Sequence, residues 1–194
     1  MLQNCYREGQ IECGCDEAGR GCLAGSVFAA AVILPAGYNN SMLNDSKKLT
    51  ARQREMLRIE IERDAVAWAV AQVEPHTIDE INILKASFRA MNRAIGKLSQ
   101  RPEQLLIDGN RFVNETDIPS LCIVKGDGKY MSIAAASILA KTYRDAYMVR
   151  LHNEYPQYGW DRNKGYPTQE HYEAIRQYGT TPYHRMSFKL KKTE

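Results

Sequence analysis

No stretch of the sequence approaches the roughly 18 consecutive apolar residues that a membrane-spanning helix requires. The first eight residues, Met1-Leu2-Gln3-Asn4-Cys5-Tyr6-Arg7-Glu8, lack the apolar core of a secretory leader, so the expectation is a cytoplasmic protein with no membrane association. Cysteine is sparse and unpatterned: Cys5, Cys13, Cys15, Cys22 and Cys122 are odd in number, form no C-x-x-C pair and have no histidine close by in sequence, which argues against a zinc site or a disulfide framework. Strong charge of one sign is also missing. The net charge is +3, and the excess lies late, with 18 basic and 18 acidic residues in 1–149 against 8 and 5 in 150–194. Such a region fits a polyanionic partner as well as it fits a solvated face. Internal repeats, low-complexity segments and long linkers are absent. A chain of 194 residues that is 44% hydrophobic and 25% charged is enough for one domain over 1–194 with a sizeable core.

The apolar residues that are present alternate between two periods. Residues 11–16 predict a short strand and residues 26–34 a second, ended by Pro35; the glycines between them suit an antiparallel pair. Thr50 followed by Gln53 predicts a capping box and a helix to about Asp64, burying Leu57, Ile61 and Ala65. Residues 65–73, where Val66, Trp68 and Val70 recur with period two, predict a third strand closed by Pro75. Thr77 and Glu80 predict a further capping box, and Leu84, Phe88, Met91, Ile95 and Leu98 mark the clearest amphipathic helix. A fourth strand should end on Asp108 and a fifth, residues 121–124, just before Lys125, with an alanine-rich helix from Ser132 to about Leu151. Early strands without long crossovers, followed by strands alternating with helices, predict a mixed α/β sheet.

Candidate chemistry concentrates in residues 14–21, Gly-Cys-Asp-Glu-Ala-Gly-Arg-Gly. On a regular strand Asp16 and Glu17 point to opposite faces, so both reach one site only where the strand ends. Gly19 and Gly21 supply such an ending and let the backbone approach a ligand closely. Asp108 closes the fourth strand and Asp127 lies in the glycine-flanked turn after the fifth; strand ends are where α/β sheets commonly build sites. Any one Asp-Gly pair reads equally as an ordinary turn. Four carboxylates together would repel one another unless neutralised, and two divalent cations do so almost charge for charge. Oxygen-only ligation selects magnesium or manganese. A pair of such ions roughly 3.5–4 Å apart activates a water and stabilises the leaving oxygen of an in-line displacement at phosphorus. Asp145 reads as a surface helix residue paired with a nearby cation, and His184 as packing or capping.

The motifs Asp16-Glu17-Ala-Gly-Arg-Gly, Asp45-Ser-Lys-Lys-Leu, Asp79-Glu-Ile-Asn-Ile-Leu, Ile107-Asp-Gly, Lys125-Gly-Asp, Ser132-Ile-Ala-Ala-Ala-Ser-Ile, Lys164-Gly-Tyr-Pro-Thr and His184-Arg-Met-Ser-Phe stand in this order along nearly the whole chain. In them the chain resembles the bacterial ribonuclease HII family, the type 2 ribonucleases H. The resemblance implies a ribonuclease H-like fold, a five-stranded mixed sheet flanked by helices with a small helical C-terminal region at about 150–194. It implies an endonuclease that cuts the RNA strand of RNA–DNA hybrids and nicks 5′ of single ribonucleotides embedded in duplex DNA, leaving a 3′-hydroxyl and a 5′-phosphate, with a role in removing ribonucleotides from DNA.

Carried over motif by motif, Asp16, Glu17, Asp108 and Asp127 resemble the catalytic, metal-binding carboxylates that hold two divalent ions, Mn2+ or Mg2+. Gly19, Arg20 and Gly21 match the segment that senses the ribose 2′-hydroxyl, the group that separates RNA from DNA. Tyr166 matches an aromatic that stacks near the following deoxyribose. Lys47, Lys48, Lys164, Arg185, Lys189, Lys191 and Lys192 are expected to contact phosphates of the duplex, which makes binding salt-dependent. A monomer is expected. The chain departs from the family's usual pattern at Cys22 and Ser26, where proline is common, a change that bears on loop rigidity and not on the carboxylates. A metal-dependent nuclease of related fold, such as a junction resolvase, is the second reading, weighed against by Arg20 and Tyr166. A non-catalytic hybrid binder is the third, weighed against by the complete set of four carboxylates.

Overall fold

Five strands, β1 (Glu12–Ala18), β2 (Val27–Ile33), β3 (Ala67–Val73), β4 (Gln104–Asp108) and β5 (Ser120–Ile123), form one sheet in the order β3-β2-β1-β4-β5. The computed structural model describes residues 2–44 and 46–188; Asp45, Lys189, Lys191 and Lys192 of the motifs above lie outside them. The sheet is mixed, as expected. The β1–β2 and β2–β3 pairs are antiparallel, and the β1–β4 and β4–β5 pairs parallel.

Among the described residues six helices accompany the sheet: α1 (Ala51–Asp64), α2 (Pro75–Ile81), α3 (Ile83–Gly96), α4 (Met131–Glu154), α5 (Trp160–Asn163) and α6 (Gln169–Tyr178). All seven residues of β2 are buried, because both sheet faces are covered. On one face Cys13, Cys15, Ala29 and Ala31 pack with Ala86, Ala90 and Met91 of α3. On the other, Ala30 and Val32 pack with Leu57 and Ile61 of α1 and with Ala135, Ala136 and Leu139 of α4. Alanine on the central strand leaves room for helix backbones to come close. Gly14 carries this furthest: a Cβ there would lie 2.2 Å from the Ser132 carbonyl carbon, so the first turn of α4 rests directly on β1.

Thr50 caps α1 as expected: its Oγ1 accepts the Gln53 N–H at 3.3 Å while Gln53 Oε1 accepts the Thr50 N–H at 2.9 Å. The box expected at Thr77 and Glu80 does not form. Pro75 opens α2, and the helical run breaks at Asn82 (φ 68°), whose side chain accepts the Leu84 and Lys85 N–H groups and so starts α3 separately. β3 forms within the expected residues 65–73. Its deeply buried residues are Ala67, Ala69, Ala71 and Val73, whereas Trp68 and Val70 are half-buried beside α1 and Val66 is exposed. β1 runs on through Glu17 to Ala18, so the strand does not end at Asp16.

The helical C-terminal region is α5 and α6 with the segments around them. Trp160, Tyr158, Ala174 and Ile175 pack there against Leu23 and Ala24 of the loop after β1. Among the described residues no helix is long and apolar enough to cross a membrane, and the five cysteines are free thiols.

Candidate active site

The parallel pairing of β1 with β4 places Cys15 opposite Ile107, so Asp16 and Asp108 follow as the next residues on neighbouring strands. Asp16 pairs across β2 with Ala30, whose side chain packs on the α4 face, and that assigns Asp16 to the same face. It is only 5% exposed. The Ser137 hydroxyl of α4 hydrogen-bonds its carboxylate, and the Glu17 N–H donates to Asp16 Oδ1 at 2.7 Å. Asp108 Oδ1 accepts the Gly126 N–H at 2.7 Å, which ties the turn of residues 126–128 to the end of β4 and brings in Asp127, itself 6% exposed. Gly126 permits this approach, since a Cβ would meet Ile133 Cδ1 at 2.6 Å.

Cations ring the cluster from outside. Lys47 Nζ lies 4.0 Å from Asp127 Oδ2 and also acts electrostatically on Glu17. Arg20 Nη1 lies 3.2 Å from Glu17 Oε1. The 46–48 turn that carries Lys47 is pinned to α4 where Ser46 Oγ meets Ser137 Oγ at 2.9 Å. Burial, then the charges of Glu17 and Asp108, hold the Asp16 carboxyl well above the usual carboxylate range. Burial likewise raises Glu17, against the pull of Arg20. Among the described residues no three acidic or sulfur and nitrogen donors are already drawn into one ligand shell. The donor chemistry nevertheless fits a hard divalent cation: carboxylate oxygens only, on neighbouring strands and the 126–128 turn, with Asp16 and Asp127 buried and no cation bonded to Asp16 or Asp108 among the described residues.

Beyond Ala18 the chain turns at Gly19 (φ 95°) and leaves Arg20 and Gly21 exposed, with open space around Gly21. Facing this loop is the segment 163–166, in which Lys164 takes a left-handed conformation (φ 50°) and Gly165 presses on Ala24, where a Cβ would stand 2.6 Å from the carbonyl oxygen. Tyr166 is 39% exposed and its ring lies 5.6 Å from Lys141 Nζ. The Leu23 N–H, next to Cys22, donates to Gly165 O at 2.8 Å and links the two loops. Burial lowers Lys164 from the ordinary lysine range.

The structure therefore brings Asp16, Glu17, Asp108, Asp127 and Lys47 to one place, with Gly19, Arg20 and Gly21 at its edge and Lys164 and Tyr166 facing that loop. Asp145 pairs with Lys141 at 2.7 Å, the surface ion pair expected. Arg185 does not reach outward as a phosphate contact. It is 3% exposed and donates to backbone carbonyls, and burial pulls its pKa down to about 10. His184 is buried and packs against His171, which agrees with a structural role. Sequence reasoning missed Ser137, Lys141 and Arg144. Each sits on α4 in a segment that reads as an ordinary helix, and helical periodicity carries no signal for what loops from elsewhere bring to it.

The family model described as Ribonuclease HII matches residues 13–191. A curated Ribonuclease HII of Bacteroides thetaiotaomicron is 68% identical over 190 residues, covering 98% of this chain and 95% of that protein. Among solved structures, ribonuclease H2 of Pyrococcus horikoshii aligns with a TM-score of 0.76 at 27% identity, over 91% of this chain and 93% of the other. RNase HII of Archaeoglobus fulgidus, solved in complex with PCNA, aligns with a TM-score of 0.77 at 26% identity, over 95% and 98%.

Proposed function

The chain belongs to the ribonuclease HII family and is an endoribonuclease of RNA–DNA hybrids, and from that premise we propose that Asp16, Glu17, Asp108 and Asp127 are its catalytic centre. The carrying observation is that Asp16 and Asp108 occupy adjoining positions on neighbouring parallel strands, with Glu17 next to Asp16 and the Asp127 turn bonded to Asp108. These carboxylates would hold two divalent ions, Mn2+ or Mg2+. When bound, the ions supply a nucleophilic water at neutral pH and charge stabilisation at the reacting phosphate.

The chain's own residues do the rest. Ser137 and the Glu17 N–H fix the Asp16 carboxylate, and the Gly126 N–H fixes that of Asp108, so the ligands are held in place before substrate arrives. The turn after Ala18, buried at Gly19 and exposed at Arg20 and Gly21, offers at Gly21 backbone groups that no side chain screens, which suits close hydrogen bonding to a ribose 2′-hydroxyl. Tyr166 presents its ring beside Lys141 and Lys164, a stacking platform flanked by phosphate-attracting charge. The reading extends to single ribonucleotides embedded in DNA, nicked on the 5′ side, and to a cytoplasmic monomer.

The test is cleavage of a labelled DNA duplex containing one ribonucleotide, with Mn2+, with Mg2+ and with chelator, beside an all-DNA duplex. A metal-dependent nick 5′ of the ribonucleotide, lost in Asp16→Asn, and a Tyr166→Ala variant impaired more in junction cutting than in binding, are the expected results. Cutting of the all-DNA duplex, or no cutting at all, would overturn the reading.

A further inference from the structure

Two buried arginines lie behind the turn of Gly19, Arg20 and Gly21, and among the described residues no carboxylate is a hydrogen-bond partner of either. Arg144 of α4 is 0% exposed and Arg185 3%. Arg144 donates from Nε to Ser26 O at 3.1 Å, from Nη1 to Lys164 O at 2.9 Å and from Nη2 to Ala24 O at 3.1 Å. Arg185 donates from Nε and Nη2 to Gly25 O at 2.9 and 2.7 Å, and from Nη1 to Arg20 O at 3.0 Å. All six hydrogen bonds thus end on backbone carbonyls, four of the five carbonyls belonging to residues 20–26.

Burying a guanidinium whose hydrogen bonds all end on neutral carbonyls is costly, even with Asp79 acting on Arg185 from α2, so a contact set of this kind needs a reason. Geometry supplies one. A guanidinium presents five donors in a rigid planar fork, and one such fork can bind carbonyls from separate loops at once, which a lysine ammonium cannot do in the same plane. Arg144 ties the loop after β1 to the loop that carries Tyr166, and it fills the space beneath Gly19, where a Cβ would stand 2.0 Å from its Nε. Arg185 is itself anchored: its N–H donates to Leu23 O at 2.8 Å, and the N–H groups of Met186 and Ser187 both donate to Asp79 of α2 at 2.9 Å.

The contact to Arg20 O carries the most specific consequence. In a planar trans peptide the C=O and the following N–H point in opposite directions. Arg185 draws the Arg20 carbonyl inward, so the Gly21 N–H is turned outward, at an exposed residue with open space around it.

We propose that Arg144 and Arg185 are positioning residues for ribonucleotide recognition, setting the direction of the Gly21 N–H and the spacing of the Gly19–Gly21 turn from Tyr166. The proposal rests on the function proposed above and assigns these two arginines a part in it. It explains why Arg185, late in a basic region, faces inward.

The test uses the full chain as Arg144→Lys and Arg185→Lys, which keep the charge and lose the fork. Three readouts are needed: kcat and KM on a duplex with one ribonucleotide, affinity for an all-DNA duplex, and the rise in Tm on adding Mn2+. Displacing a recognition group by a fraction of an ångström should lower kcat about tenfold to a hundredfold, with KM, all-DNA affinity and the Mn2+ response at wild-type values. Wild-type kcat in a folded lysine variant would overturn the proposal, as would a fall in kcat matched by loss of the Mn2+ response, the mark of general damage. Gly21→Pro, on the exposed turn, deletes the N–H without touching the buried arginines, and wild-type kcat in it would overturn the proposal even if both lysine variants failed to fold. A wild-type protein that nicks nothing would sink the underlying function instead, so the two failures are distinguishable.

Discussion

Acid should loosen the helical end of the molecule through His184. That ring is 4% exposed. Its Nδ1 accepts the Thr181 N–H at 2.9 Å, so its proton sits on Nε2, 3.2 Å from His171 Nε2. His171 Nδ1 lies 3.0 Å from the Tyr166 carbonyl and must donate to it, which leaves His171 Nε2 a bare acceptor that also receives the Trp160 indole N–H at 3.1 Å. Both rings are neutral: a proton added at His171 Nε2 would face two donors, and one added at His184 Nδ1 would displace the Thr181 N–H and find only the Thr181 hydroxyl, at 3.0 Å, to accept it. Burial, with His171 adding to it, pulls His184 from 6.5 to about 4; burial lowers His171 as well. A base whose pKa is depressed by folding contributes its stability fully above the unfolded value and loses it as pH falls toward the folded one. The unfolded chain takes up one more proton in that window, so stability falls by about 1.4 kcal/mol per pH unit, about 3 kcal/mol in all and about 2 kcal/mol by about pH 5. The assay is urea unfolding at about pH 8 and about pH 5 for wild type and His184→Gln. The raised carboxyls of Asp16 and Glu17 act with the opposite sign, but equally in both proteins. With a slope of about 2 kcal/mol per molar urea, the wild-type midpoint should drop about 1 M further than that of the variant. Parallel drops would refute the tautomer argument.

Asp16→Asn should abolish cleavage and, with metal absent, raise Tm by a few degrees, on the order of 1 kcal/mol, because a buried charge facing Glu17 and Asp108 is replaced by a neutral isostere that still accepts from Glu17 and Ser137. Thermal melts with and without Mn2+ check this. Wild type should gain about 2.7 kcal/mol at a hundredfold excess over its Kd and the variant much less, so an equal gain would count against Asp16 as a ligand. Gly14→Ala should cost more than about 3 kcal/mol, since its Cβ would meet the Ser132 carbonyl carbon at 2.2 Å and α4 cannot retreat without leaving the sheet. A chemical denaturation curve within about 1 kcal/mol of wild type would mean that α4 yields more readily than its packing implies.

What was legible in the sequence was local. The Thr50 box, the strand ending on Asp108 and the carboxylates beside glycine turns follow from residue spacing alone, because a cap or an alternation needs only its neighbours. The break at Asn82 was hidden by the Thr77 and Glu80 pair, which has the spacing of a capping box although Pro75 already opens the helix. Period two marked β3 as a strand but not which of its faces lies deeper, because both faces are covered. Arg144 was illegible for a stronger reason. In Lys-Thr-Tyr-Arg-Asp it has the surroundings of a surface residue, and its burial depends on carbonyls 118, 120 and 20 positions away in sequence.

The distribution of charge about the end of β1 explains why one short loop can both recognise and position. On one side Asp16, Glu17, Asp108 and Asp127 leave a surplus of negative charge at the sheet's edge, a place for cations and the phosphate they draw. On the other, Arg144 and Arg185 hold positive charge inside the protein, hydrogen-bonded to carbonyls of residues 20–26 and of Lys164, with Asp79 acting on Arg185 from α2. Neither group of charges would be stable if free to move. The carboxylates would splay and the guanidiniums would seek water. Each is held because the other side of the loop is rigid: Glu17 pairs with Arg20 at 3.2 Å, and the carbonyl of that same Arg20 is captured by Arg185 at 3.0 Å. Arg20 is thus the joint between the two halves, its side chain paired with the carboxylate cluster and its carbonyl held by the buried Arg185. A substitution of its side chain should therefore act on the cluster and leave the Arg185 contact standing.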